Sequence, residues 1–268
     1  MMFDYSRTTA LVTGASSGIG ETFAEMLAQR GASLVLVART ANKLEALAAR
    51  LRSTYKIEAA VIAADLADPL SASKIHAETK SLRLPVNLVV NNAGFALAGA
   101  FLDHDLTREQ EQIAVNVTAL TTLSHLFAGD MRPFGRNAGI INISSSAAFQ
   151  PLPYSAVYAA SKSYVLLFSE ALGRELREQG THILAVCPGP VKTAFFDKIG
   201  SKLSVGAMDS AESIVKQALS AFEKRKAVVI PGRFAVRFQA FGTRLFPRTI
   251  MVKLAEKVSR RVMMAGHD

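Results

Sequence analysis

"TALVTGASSGIGETFAEMLAQRG", Thr9 to Gly31, changes its period half-way along. It begins as a short apolar run, crosses three glycines, and continues with apolar residues at helical spacing until Gly31. An apolar run feeding a glycine turn and then a helix is the opening of a parallel α/β unit. Gly14, Gly18 and Gly20 hold the turn, with Ser16, Ser17 and Ile19 among them. Glycines let a backbone come close to a pyrophosphate, and the open N–H groups and dipole of the next helix favour an anion. The spacing is G-x-x-x-G-x-G rather than G-x-G-x-x-G. The strand–turn–helix setting, more than the glycines, separates a dinucleotide loop from an ordinary tight turn.

Outward from this stretch the same alternation repeats. "SLVLVA", "AAVIAADL", "VNLVVNNAG", "AGIINISS" and "THILAVCPG" read as further strands, and "KAVVIPG" as a last one near 226–230. Helical patterns lie between them, two of them long, over 105–131 and 155–179. Near-continuous apolar strands separated by helices predict an α/β fold: one doubly wound parallel sheet covered on both faces. Residues 1–232 read as that Rossmann-type domain and 233–268 as a helical tail.

The end of the second strand selects the cofactor. An NAD site wants an acid there for the ribose 2′-hydroxyl. Here "VLVART" puts Ala38 at that place and Arg39 after it. An arginine clamps a 2′-phosphate that an aspartate would repel, so NADP(H) is the expected cofactor. Lys43, a turn further on, adds charge to the same rim.

Composition excludes several classes. The chain has 268 residues, half of them apolar, enough for one large core. Cys187 is its only cysteine, so no intrachain disulfide forms, and it precedes Pro188 in a strand that reads as core. The five histidines show no metal-ligand spacing, and no metal is expected. Of 31 Lys/Arg and 22 Asp/Glu, residues 224–268 hold 11 and 2, so residues 1–223 carry 20 of each. A neutral body with a basic tail is not the pattern of a nucleic-acid binder. The start, "MMFDYSRTTALVTG", has no signal-peptide pattern, and no apolar run is long enough to span a bilayer. A cytoplasmic protein is expected.

"YSAVYAASKSY", Tyr154 to Tyr164, puts Lys162 four residues after Tyr158. Residues i and i+4 share a helix face. A free phenol titrates near ~10 and is a poor base at neutral pH. A cation beside it, and an oxidised nicotinamide ring, would favour the phenolate. Tyr158 then reads as general acid for reducing a ketone, or base for oxidising an alcohol. The plain alternative is a surface Tyr–Lys pair of little consequence.

With "TGASSGIG" at 13–20, "NNAG" at 91–94, "INISSSAA" at 141–148, "YAASK" at 158–162 and "CPGPVKT" at 187–193, residues 8–232 resemble the short-chain dehydrogenase/reductase family. The resemblance implies that Lys162 bonds the nicotinamide ribose. It implies that Ser145, thirteen residues before Tyr158, steadies the reacting oxygen, and that Asn116 holds a water on a proton relay behind the lysine. It runs Asn91, Asn92, Ala93 and Gly94 along the adenine-ribose side and the central sheet, and puts Asp65, with Leu66, at the adenine. Pro188, Gly189 and Val191 would carry backbone contacts to the nicotinamide amide, with Thr193 on the amide or pyrophosphate. The family resemblance also implies a homodimer or homotetramer. The implied reaction is hydride transfer between NADP(H) and a carbonyl or alcohol; an idle NADP-binding scaffold or sensor is the rival. Apolar residues around Phe95, Phe149, Pro151 and Tyr154, and in the loop 190–210, suit an apolar ketone, aldehyde or acyl chain.

In the tail, Phe234, Phe238, Phe241 and Leu245 form one helical stripe. After Pro247, Ile250, Leu254, Val258 and Val262 form another, with arginines and lysines beside both. Three readings stay open: a helix packed on the body or a second subunit, a basic amphipathic element on an anionic membrane at the inner face, or disorder.

Overall fold

β1, Thr9–Thr13, is buried along its whole length because both of its edges are taken, by β2 (Ser33–Ala38) and β4 (Val86–Asn91), each parallel to it. The computed structural model describes residues 3–193, 195, 208–242 and 247–263. Its seven strands add β3 (Ala59–Ala63), β5 (Gly139–Ile143), β6 (His182–Val186) and β7 (Val228–Val229), in the order β3-β2-β1-β4-β5-β6-β7. Every neighbouring pair is parallel.

The strand period of two divides the core between the faces. Ala10, Val12, Leu34, Leu36, Leu88, Val90, Ile141 and Leu184 point one way, onto α1 (Gly18–Ala28), α2 (Ala41–Tyr55) and α7 (Ala211–Glu223). Leu11, Val35, Val37, Val89, Ile140 and Ile183 point the other way, onto α3 (Ser71–Ser81) and α5 (Leu120–Asp130). That is why these strands read as continuous apolar runs.

The chain leaves β1 toward β2 and β3, then crosses back to place β4 on the other side of β1. At such a reversal the loops beyond the two strand ends separate and leave a crevice, where open α/β sheets bind ligands. The loops after β1 and β4 are "GASS" and "NAGF".

The predicted helix over 105–131 is not uniform. α4 (Leu106–Ile113) passes into a π-helical segment, Ala114–Ala119, before α5 begins. The second long helix, α6 (Ala156–Glu175), ends four residues short of the predicted 179. Beyond β7 lie α8 (Phe234–Gly242) and α9 (Arg248–Met263). Among the described residues, no helix is long and apolar enough to cross a membrane.

Candidate active site

The glycine loop has the geometry its sequence suggests. A Cβ on Gly20 would come within 2.3 Å of the Gly14 carbonyl oxygen, so α1 reaches this close to the turn only with glycine there. Ser17 stands at the N-cap but its side chain does not cap, which leaves the first N–H groups of α1 free for an anion. Asn92 fixes the loop from across the crevice: its Nδ2 donates to the carbonyls of Thr13 at 2.9 Å and Gly14 at 3.3 Å. The backbone N–H groups of Asn92 and Ala93 both donate to Thr13 Oγ1 at 3.0 Å. Thr193 arrives from the loop after β6, its methyl 3.1 Å from where a Gly18 Cβ would stand. Pro188 joins that loop to the serine segment by accepting from the Ser146 N–H at 2.8 Å. Val191 is buried and bridges Asp209.

At the adenine end, Arg39 directly follows β2 and Asp65 follows β3, two strands paired to their last residues. Their side chains are exposed and 4.0 Å apart. Lys43 is exposed in the first turn of α2, and Leu66 is buried under Asp65. The exposed Arg39 guanidinium at this rim, only loosely paired with Asp65, and the open helix N–H groups fit a dinucleotide carrying a 2′-phosphate.

The second half of the site is built on α6. Lys162 is buried, and its Nζ donates to the Ile143 carbonyl at the end of β5, at 2.9 Å. Ser144 Oγ donates to the Lys162 carbonyl at 2.8 Å, so β5 and α6 are tied at both ends of that residue. A Cβ on Gly94 would meet Asn116 Oδ1 at 2.9 Å and Lys162 Nζ at 3.3 Å, which brings the β4 loop, the π segment and α6 together at one point. Asn116 is held there by three bonds: it accepts from Phe95 N at 3.1 Å and donates to Phe95 O and Ser161 Oγ, each at 3.0 Å. Ser145 is the N-cap of the turn Ser146–Phe149, accepting from the Ala147 N–H at 3.1 Å. Tyr158 is half-buried, with Lys162 Nζ 5.8 Å from its ring centre and the Phe195 ring at 5.9 Å.

Burial sets the charges in this cluster. It pushes the Tyr158 phenol above its ordinary pKa, and the neighbouring Ser145 hydroxyl only partly opposes that. It pulls the Lys162 ammonium down to about 8, against a smaller opposing effect of Cys187. With its pKa raised, Tyr158 is a protonated donor at neutral pH, as the acid role requires. Burial likewise pushes Cys187 up to about 12, the state of an inert core thiol.

The sequence-derived residues do not all point into the crevice. Asn91 is buried, donating to Ser124 Oγ at 3.1 Å and Asn142 Oδ1 at 2.9 Å; it ties β4 to β5 and α5 beneath the site. Sequence reading gave no role to Ser161, within the quoted "YAASK", and did not single out Phe195 within the loop 190–210. It also passed over the tail's approach to the site: α8 lies against the Ser146–Phe149 turn, and the Arg260 guanidinium of α9 stands 5.7 Å over the Tyr154 ring.

Fold and site together define a dinucleotide-dependent oxidoreductase of the doubly wound class. Residues 8–204 match the model of the short chain dehydrogenase family, and the chain belongs to that family. It is 32% identical over 216 residues to the human "very-long-chain 3-oxoacyl-CoA reductase", covering 78% of this chain and 67% of that one. Among solved structures, a short-chain dehydrogenase from Sphingobium yanoikuyae in complex with NADPH superposes with a TM-score of 0.80 at 34% identity, covering 89% of this chain and 94% of that one. The bulky-bulky ketone specific alcohol dehydrogenase from Comamonas testosteroni superposes with a TM-score of 0.77 at 32% identity, covering 90% and 92%.

Proposed function

We propose that this protein is an NADPH-dependent reductase of apolar carbonyl compounds, working as a homo-oligomer. The observation that carries the reading is the convergence of Tyr158, Ser145, Lys162 and Asn116 beside the glycine loop, with Tyr158 protonated at rest. A bound dinucleotide supplies the hydride. Gly14 to Gly20 and the N-terminus of α1 would hold its pyrophosphate, Arg39 its 2′-phosphate, Lys162 its ribose, and the Pro188–Thr193 loop its amide. Tyr158 gives its proton to the carbonyl oxygen as negative charge grows there, and Ser145 donates a hydrogen bond to the same oxygen. The product is the alcohol, and one proton is taken up from water.

Two features favour an apolar substrate. The residues around Tyr158 include Phe195, Leu97 and Phe101, and Tyr154 lines the same cleft. The Comamonas enzyme's stated preference for bulky ketones, and the human relative's for long acyl chains, lie in the same direction. A catalytically idle scaffold would bind the dinucleotide without needing the Tyr158–Ser145 pair. The test is NADPH oxidation with a panel of bulky ketones, aldehydes and β-ketoacyl thioesters, alongside NADH. Turnover with NADPH well above NADH, and loss of that preference in Arg39→Asp, is expected. Binding without turnover on any of these would favour the scaffold; equal use of NADH would remove the NADP assignment.

A further inference from the structure

The tail helices are two-sided in an unusual sense. The face of α8 that meets the body is Val236 and Ala240; a Cβ on Gly189 would be 2.8 Å from Val236 Cγ2. The buried face of α9 is Ala255 and Ser259, with Met251 and Val252 beside them. These are mostly small side chains. The large apolar ones point away: Phe234 is 78% exposed, Phe238 68%, Leu254 55% and Val258 65%, with Ile250 close behind. The side chains of Phe241 and Val262, and all of Leu245, lie outside the described residues. Arg233, Arg248, Lys253 and Lys257 are exposed around these apolar stripes, and residues 233–268 hold eight Lys/Arg against two Asp/Glu.

Exposed aromatic and aliphatic stripes flanked by cations match the chemistry of an anionic lipid surface: apolar groups enter the acyl boundary and the cations meet the headgroups. The position of these helices gives that match a second meaning. α8 rests on Gly189 and on the Ser146–Phe149 turn, and α9 reaches Tyr154 through Arg260. Whatever seats the tail is at the rim of the substrate approach.

We propose that the outward face of α8 and α9 docks on an anionic membrane surface, and that apolar carbonyl substrates pass from that surface to Tyr158. The second half rests on the reductase reading; the first does not. Apolar substrates concentrate in lipid, so docking the rim there shortens their path through water.

The experiment uses the full-length chain, with vesicles of phosphatidylcholine alone or mixed with phosphatidylglycerol. Co-sedimentation is expected with the anionic vesicles, weakening as salt rises. The double variant Phe238→Asp/Leu254→Asp, which changes only outward side chains, is expected to lose more than about tenfold of that binding. Its NADPH affinity and its turnover of a small water-soluble ketone are expected to match the parent. Its turnover of a long-chain ketone presented in anionic vesicles is expected to fall. A parent that ignores anionic vesicles at low salt overturns the docking. A double variant that changes only the assembly state in light scattering overturns it as well, by assigning the face to a second copy. Vesicle binding that leaves long-chain turnover equal in parent and variant overturns the delivery step. No turnover of any carbonyl by the parent sinks the reductase reading while leaving the vesicle result to stand by itself.

Discussion

Tyr158 and Lys162 were legible in the sequence because a helix fixes the relation of residues four apart. Their titration was not, because it depends on what covers them. Ile143, Gly94 and Cys187, which surround Lys162, come from three separate places in the chain. Burial among them holds the lysine at about 8, below an ordinary ammonium, although Cys187 itself pulls weakly the other way. A lowered value means that the charged form persists only below about 8. Above it, Lys162 is neutral and has lost one donor toward the ribose and its attraction for the anionic dinucleotide. NADPH affinity of the free enzyme is therefore expected to weaken as pH rises through about 8, and Lys162→Met to flatten that dependence. Fluorescence titration of NADPH across the range measures it. An affinity in the parent that stays level through this window would show that the ammonium does not take part.

At the scale of elements, the strands and their order of faces could be read from apolar runs and a period of two. The π segment could not. An extra residue in one turn hardly disturbs an apolar pattern, so 105–131 read as a single helix. What the wide turn serves is a contact with a distant loop: Asn116 meets the Phe95 N–H and C=O and Ser161 Oγ. Functional sites are common at such bulges. Asn116→Ala would leave the partly buried Phe95 groups without this partner. The expected cost is about 2 kcal/mol, read as a fall of about 5 °C in thermal midpoint for a domain of this size. Turnover is expected to fall further than stability alone explains, since the loop carrying Gly94 loses its anchor to α6. An unchanged midpoint would mean that solvent satisfies Phe95 equally well. Asn91 belongs to the sheet side of the "NNAG" motif. Its motif suggests a ligand contact, yet the strand period turns its side chain into the sheet interior, where it binds Asn142 and Ser124.

For the whole molecule, the tail was recognisable as amphipathic, but which face packs was not. Small residues, Ala240, Ala255 and Ser259, let α8 and α9 approach closely, and that selects the inward face over the larger stripe. A separate apolar surface lies on α4 and α6, which leave Leu106, Ile113 and Leu167 exposed, Leu167 by 66%. An apolar helix face of this kind is expected to meet its copy across a two-fold axis. Light scattering at micromolar concentration is expected to give a dimer or tetramer, and Leu167→Asp a smaller species with NADPH binding intact. A monomeric parent would refute the assembly.

The chemistry proposed for this site requires that the assembled enzyme move hydride under the control of Tyr158. The direct measurement follows deuterium from labelled NADPH into the alcohol product of a bulky ketone, in single turnover, for the parent and for Tyr158→Phe. Label is expected on the carbinol carbon with the parent. In Tyr158→Phe the transfer is expected to slow by about 10²–10⁴, with the NADPH dissociation constant unchanged within about twofold. A phenylalanine variant that transfers the label at the parental rate would contradict the assignment of the acid, and with it the chemistry proposed for this site.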